Sequence, residues 1–147
     1  MTGLSCKFVT DTSTLCVFDL ECLKHRINDD ADWWSIPEDE LLEVNNGNVI
    51  FIGVGEDGEY NISFRDQILN PKVVASLNVV SGRVFIGAGE EVTADGLEPE
   101  CLDGGIFLDL PKGVYQFSFS LDGNNININY SKHGSGKNNF TDLLRLI

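Results

Sequence analysis

Carboxylates dominate the chemistry open to this chain: 23 Asp and Glu stand against ten Lys and Arg and two His. They are unevenly placed. Residues 27–64 hold ten acids with no Lys or Arg, and residues 84–111 hold seven, again with none. Within these blocks lie three compact groups: Asp29, Asp30 and Asp32 running into Trp33-Trp34, then Glu56-Asp57, then Glu90-Glu91. Grouped carboxylates can bind a hard cation, work in pairs as general acid and base, or attract a basic partner. Calcium loops of the helix-loop-helix type need alternating oxygen ligands, a central glycine and a distal bidentate glutamate. No window around residues 29–32 meets that pattern. The stretch 90–103, with acids at 90, 91, 95, 98, 100 and 103 around Gly96, leaves a cation site open. Paired carboxylates for glycoside chemistry need a set separation in space, which spacing along the chain does not specify.

The other reactive side chains form no pattern. His25 lies between Lys24 and Arg26, and His133 sits in a glycine-rich stretch. Zinc sites usually combine several His and Cys ligands, and these are neither clustered nor patterned; there is also no nucleophile-elbow sequence. Gly53-Val54-Gly55-Glu56-Asp57-Gly58 matches G-x-G-x-x-G, but that fingerprint needs a following helix whose N-terminus receives pyrophosphate. An alternating strand pattern follows instead, and Glu56 and Asp57 would repel phosphate. Cys6, Cys16, Cys22 and Cys101 have neither CxxC spacing nor the density of a disulfide framework. Three of them sit among apolar residues, where a free thiol behaves as a small hydrophobe. The expectation is no catalytic residue, no metal and no cofactor: a binding protein rather than an enzyme.

The formal charge of −13 repels nucleic acid and anionic membrane and steers cationic partners to the surface. Solvation of an ordinary acidic surface is the plainer reading of the same charge. No run of 18 apolar residues occurs, as a membrane-spanning helix would need. Residues 1–10 lack the apolar core of a signal peptide. A reduced, cytoplasmic protein is expected, with its oligomeric state open.

The elements that must position these acids are mostly strands. Residues 6–10 and 14–19 read as strands joined at Asp11-Thr12-Ser13, and residues 20–27 as a short helix or an irregular strand continuation. Ser35-Ile36-Pro37-Glu38 is a capping-box signature with proline in the first turn. It predicts one short helix near 36–46, ending at Gly47, with Leu41, Leu42 and Val44 available for packing. Strands are expected at 48–54, 59–65, 73–80, 83–88, 105–110, 114–121 and 125–131. Two hairpins are expected, one at residues 79–84 and one through Asp122-Gly123-Asn124. Residues 131–139 read as a mobile loop, and 140–147 as a closing helix or strand.

One motif recurs. Phe51-Ile52-Gly53-Val54-Gly55-Glu56-Asp57 returns as Phe85-Ile86-Gly87-Ala88-Gly89-Glu90-Glu91, and Gly58-Glu59-Tyr60 returns as Gly113-Val114-Tyr115. The shifts of 34 and 55 positions place a 21-residue insertion inside the second copy. This reads as a duplicated hairpin. The whole predicts a single, mainly β domain over 1–147: an antiparallel β-sandwich or jelly-roll-like barrel with one short helix.

At residues 10–14, at Asp32-Trp33-Trp34-Ser35 and at residues 85–93, the chain resembles a family of small uncharacterised bacterial cytosolic domains, over roughly residues 8–130. That resemblance imports no site residue. In general character (small, acidic, without catalytic motifs) the chain is also similar to immunity proteins of bacterial toxin systems. The similarity implies an acidic protein that binds and neutralises a cognate toxin, basic and of nuclease type. The expected contacts are Asp29, Asp30, Asp32, Trp33, Trp34, Glu56, Asp57, Glu90 and Glu91. The alternatives are a carbohydrate- or cation-binding β-sandwich module and a small hydrolase using carboxylates.

Overall fold

A computed structural model describes residues 5–26, 36–89, 104–133 and 137–146. Among the described residues there are ten strands: β1 (Ser5–Thr10), β2 (Thr14–Asp19), β3 (Ile50–Gly53), β4 (Gly58–Phe64), β5 (Val73–Val79), β6 (Arg83–Ala88), β7 (Ile106–Asp109), β8 (Gly113–Asp122), β9 (Asn125–Lys132) and β10 (Leu144–Arg145). They form two five-stranded sheets, ordered β1-β4-β9-β8-β5 and β10-β3-β2-β6-β7. The mainly β sandwich expected from alternation is therefore present, and no closed barrel is formed. Both sheets are mixed, because β4 runs parallel to β9 and β10 parallel to β3.

Alternation explains the layers. In the second sheet Leu15, Val17, Ile50, Ile52, Val84, Ile86 and Ala88 point to the inter-sheet core. Their neighbours Cys16, Phe18, Phe51 and Phe85 point the other way, into a second core with Leu23 and Val44. A period of two puts successive residues on opposite faces, so a strand apolar at every position must be covered on both sides. One cover is the first sheet. The other is α1 (Pro37–Asn45) with the 3-10 turn Leu20–Arg26, which settles residues 20–26 as helical. The first sheet is buried on one face only. Tyr115, Phe117 and Phe119 are buried there while Gln116, Ser118 and Ser120 face outward.

Helix α1 ends as its sequence predicts. Gly47 N–H donates to Val44 O and Asn48 N–H to Glu43 O, both at 3.0 Å, with Gly47 at φ 74. That is the paired 5→2 and 6→1 closure of a Schellman motif. Its start differs from expectation. The N-cap is Ile36, which makes no side-chain cap bond, and Pro37 is the first helical residue. Glu38 is thus one residue short of the capping-box position. The packing face also differs: Val44 is buried, Glu43 is buried beside it, and Leu42 is exposed. Asn48 Nδ2 donates to the Glu43 carboxylate at 2.8 Å, which lets an acid take a core position.

The duplicated unit is present, but its two strands do not pair with each other. β3 lies in the second sheet and β4 in the first. In the second copy β6 and β8 are likewise divided, with β7 in the insertion pairing back onto β6. In the first copy the turn after β3 carries the chain across the sandwich, and in the second the crossing follows β7, at residues 110–112. The matching tyrosines close the matching corners: Tyr60 Oη donates to Glu56 O and Tyr115 Oη to Pro111 O, each at 2.7 Å. Burial pushes both phenols above their ordinary pKa, so both remain donors. The expected hairpin at 79–84 is corrected in the same way. Val79 pairs Gly113 in one sheet and Val84 pairs Asp19 in the other, and residues 80–82 cross between them. By contrast, β8 and β9 do form the expected hairpin, with Gly123 at φ 63 in its two-residue turn.

The C-terminal segment is pinned rather than loose. Ser76 N–H donates to Asn138 Oδ1 at 2.8 Å, and Asn138 Nδ2 donates to Ser76 O and Val44 O. This side chain imitates a strand partner on the outer edge of β5 and ties it to α1.

Candidate functional site

The first strands of the two copies, β3 and β6, finish at the same end of the second sheet. β3 and β6 flank β2 on either side and both run antiparallel to it. Thr14 pairs with Gly53, and Leu15 with Ala88. Gly89 comes so close that a Cβ on it would stand 2.7 Å from Thr14 Cγ2. Glycine is required there by the approach of a neighbour. At Gly55 it is required by a φ of 95. The first acid pair, Glu56-Asp57, thus follows directly beside the turn at residues 12–14.

That turn is built to hold one shape. Thr10 is fully buried, and its hydroxyl accepts from Thr12 N–H and Thr14 N–H, both at 3.2 Å. Thr14 Oγ1 donates to Thr12 O, and Val54 N–H to Ser13 O, both at 2.8 Å. Ser13 has φ 54, the one positive φ outside glycine among the described residues. Such a conformation costs a β-carbon residue about 1–2 kcal/mol, and strain of this kind collects at functional sites. Ser13 Oγ donates to Asp57 Oδ1 at 2.5 Å, which fixes an exposed carboxylate.

Beside this turn lies an open cleft of about 250 Å³, lined by Thr12, Ser13, Thr14, Glu40, Gly53, Gly55, Leu143, Leu144 and Arg145. Glu40 is half-buried, and burial alone pushes its carboxyl up to about 7. The sign for stability follows. The folded chain holds this proton above the ordinary carboxyl value of 4.5, so the native state binds more protons than the unfolded one between pH 4.5 and 7. Stability falls as pH rises through that window, by roughly 1–2 kcal/mol once solvent screening is allowed for. Glu40→Gln is expected to raise the melting temperature at pH 8 and to leave it unchanged near pH 4.5, as thermal unfolding at the two pH values would measure.

Of the expected contact residues, Glu56 and Asp57 are exposed at the rim of this cleft. Asp29, Asp30, Asp32, Trp33, Trp34, Glu90 and Glu91 lie outside the described residues. Sequence reasoning missed Glu40, the 12–14 turn and Arg145, which come together only through the fold. Among the described residues no group of three or more His, Cys, Asp or Glu is placed to hold a metal ion. The Cys22 thiol is pushed up to about 12 by burial, with Asp19 and Glu21 adding to it, so it is no nucleophile. Among the described residues no helix is long and apolar enough to cross a membrane.

A model of DUF6386, a family of unknown function, matches residues 1–146, and the chain belongs to that family. No curated protein matches it. Among solved structures, the chain is similar to crocagin biosynthetic gene J at 16% identity and a TM-score of 0.56, covering 91% of this chain and all of the other. It is also similar to ComJ, inhibitor of the DNA degrading activity of NucA, from Bacillus subtilis. That match has 14% identity and a TM-score of 0.55, over 90% of this chain and 98% of ComJ. At these identities the likeness is one of fold.

Proposed function

We propose that this DUF6386 chain is a non-enzymatic, cytoplasmic, single-domain inhibitor that binds a basic DNA-degrading nuclease and blocks it, as an immunity protein does. The observation that carries this reading is the fold shared with ComJ over nearly the full length of both chains. A fold alone does not fix function, and a biosynthetic gene product has the same one. The charge pattern supplies the second support. Ten and seven acids occupy two blocks without Lys or Arg, and each block contains one corner of the repeat. The contacting surface is then the rim of Glu56 and Asp57, with Glu90, Glu91, Asp29, Asp30, Asp32, Trp33 and Trp34 proposed as its further contacts. Such a rim steers a basic enzyme into place and excludes DNA by occupying its path.

Sugar binding is the weaker reading. The outer face of the first sheet carries Asn125, Asn127 and Asn129, but Asn125 Nδ2 donates to Asn127 Oδ1 and Asn127 Nδ2 to Ser120 Oγ. Asn129 Nδ2 is taken by the Arg65 and Asp66 carbonyls. Amides already satisfied by the protein have little left to offer a sugar hydroxyl.

Binding to immobilised chain tests the proposal, with NucA as the first probe and the nuclease product of any toxin gene beside this chain's own as the second. Saturable binding that weakens with salt is expected for at least one. Binding of neither at low salt would overturn the reading.

A further inference from the structure

The cleft beside residues 12–14 permits a more specific statement, one that rests on the binding reading above and names what enters the site. Three features of its wall matter together. The Glu40 carboxylate makes no ion pair or hydrogen bond with any described residue, so once ionised it is half-buried without compensation. The 12–14 turn and the 53–55 corner present hydroxyl and backbone groups, held in place by the buried Thr10 hydroxyl. Leu143 and Leu144 add an apolar strip. A carboxylate, fixed acceptors and an aliphatic strip are the complement of a long cationic side chain. Its stem packs on leucine while its head donates to oxygen. The volume of about 250 Å³ equals several waters at about 30 Å³ each, which is room for one such side chain and not for a folded loop. A bare divalent cation fits less well, because Glu40 is the one carboxylate among the described residues lining the cleft and such ions take six or more oxygens. Arg145 from β10 is the other ionisable group in the wall, and it is exposed. Water around its head weakens the repulsion it exerts on an incoming cation.

We propose that the cleft formed by α1, the 12–14 turn, the 53–55 corner and β10 receives one arginine side chain of the protein partner, with Glu40 as its counter-ion. Glu56 and Asp57 at the rim attract the partner, whereas Glu40 retains it. Rim charges govern the association rate and a desolvated pair governs dissociation.

A minimal probe separates this site from the nuclease reading. The full chain is titrated at pH 8 with N-acetyl-arginine amide, and with N-acetyl-glutamine amide as the uncharged control, while backbone amide resonances are followed. Saturable shifts at residues 12–14 and 53–55 are expected with the arginine probe alone. Glu40→Gln should weaken them by about tenfold, the scale of one charge-assisted contact, and Asp109→Asn, an exposed acid at the far end of β6, should leave them unchanged. Glu40→Asp, which keeps the charge, should retain measurable binding even if the glutamine variant folds poorly. No shift with arginine, equal shifts with the glutamine probe, or shifts indifferent to Glu40→Gln would each overturn the proposal. A chain that binds the arginine probe in the cleft but no nuclease keeps this site and loses the nuclease reading. A chain that binds a nuclease with Glu40→Gln unaffected in both assays does the reverse.

Discussion

Replacing Asp19 with alanine is expected to lower the unfolding free energy by about 3 kcal/mol or more, the largest effect of any single carboxylate in the described fold. Asp19 is fully buried. Its Oδ2 accepts from Val80 N–H at 3.0 Å and Ser81 N–H at 2.8 Å, and its Oδ1 from Ser81 Oγ at 2.8 Å and Glu21 N–H at 3.0 Å. The side chain therefore clasps the 80–82 crossing from one sheet to the other and caps the 3-10 turn that covers the second core. Hydrogen bonds to a charged acceptor contribute about 1.5–3 kcal/mol each, and donors left unsatisfied cost about 1–3 kcal/mol each. Val80 and Ser81 are exposed enough to be rehydrated, which keeps the total well below the sum. Urea unfolding should show a midpoint lowered by about 1 M or more, given slopes of about 1–3 kcal/mol per M. A change under 0.5 kcal/mol would mean that the clasp is not what holds the crossing.

The second large effect concerns association. Reversing four of the proposed contact acids together, Glu56→Lys, Asp57→Lys, Glu90→Lys and Glu91→Lys, is expected to slow binding to a basic nuclease at least tenfold at low salt. Electrostatic steering changes association rates by about 10–1000-fold and fades as the Debye length shrinks from about 10 Å at 0.1 M salt. The difference should therefore nearly vanish in about 1 M salt. Asp109→Lys is the control, because Asp109 pairs Arg83 at the far end of β6 from Gly89. It adds the same kind of charge away from the rim and should change the rate little. Stopped-flow mixing at several salt concentrations distinguishes the two. Equal slowing by Asp109→Lys and by a single rim reversal would assign the effect to net charge alone.

Much of the secondary structure was legible because period-two burial writes itself into β8 and β9, and because Gly47 marks the end of α1. Apart from the β8–β9 hairpin, the pairing was not. A corner that crosses a sandwich and a hairpin that folds back share the same local signals, apolar run, turn, apolar run. What separates them is a long-range choice: β3 pairs β2 and β4 pairs β1, and neither partner is near in sequence. The repeat was readable as two similar strings, yet its meaning changed from paired strands to paired corners. Tyr60 and Tyr115, each bonded four residues back, are the feature that ties string to geometry. On α1 the error was one of rotation, since apolar weight favoured Leu42 while Asn48 makes burial of Glu43 tolerable. The cleft had no sequence signal at all. Its lining spans Thr12 to Arg145, and Glu40 looked like one more solvated acid at a helix start.

Inhibition of DNA degradation tests the central claim most directly. Supercoiled DNA is incubated with a fixed amount of NucA, or of a nuclease encoded beside this chain, while the chain is added in increasing amount. The account predicts that cleavage by at least one of these enzymes falls to background near one chain per enzyme at low salt, and that the four-acid reversal needs a large excess to do the same. Undiminished cleavage by both enzymes at a tenfold excess of folded chain would contradict it.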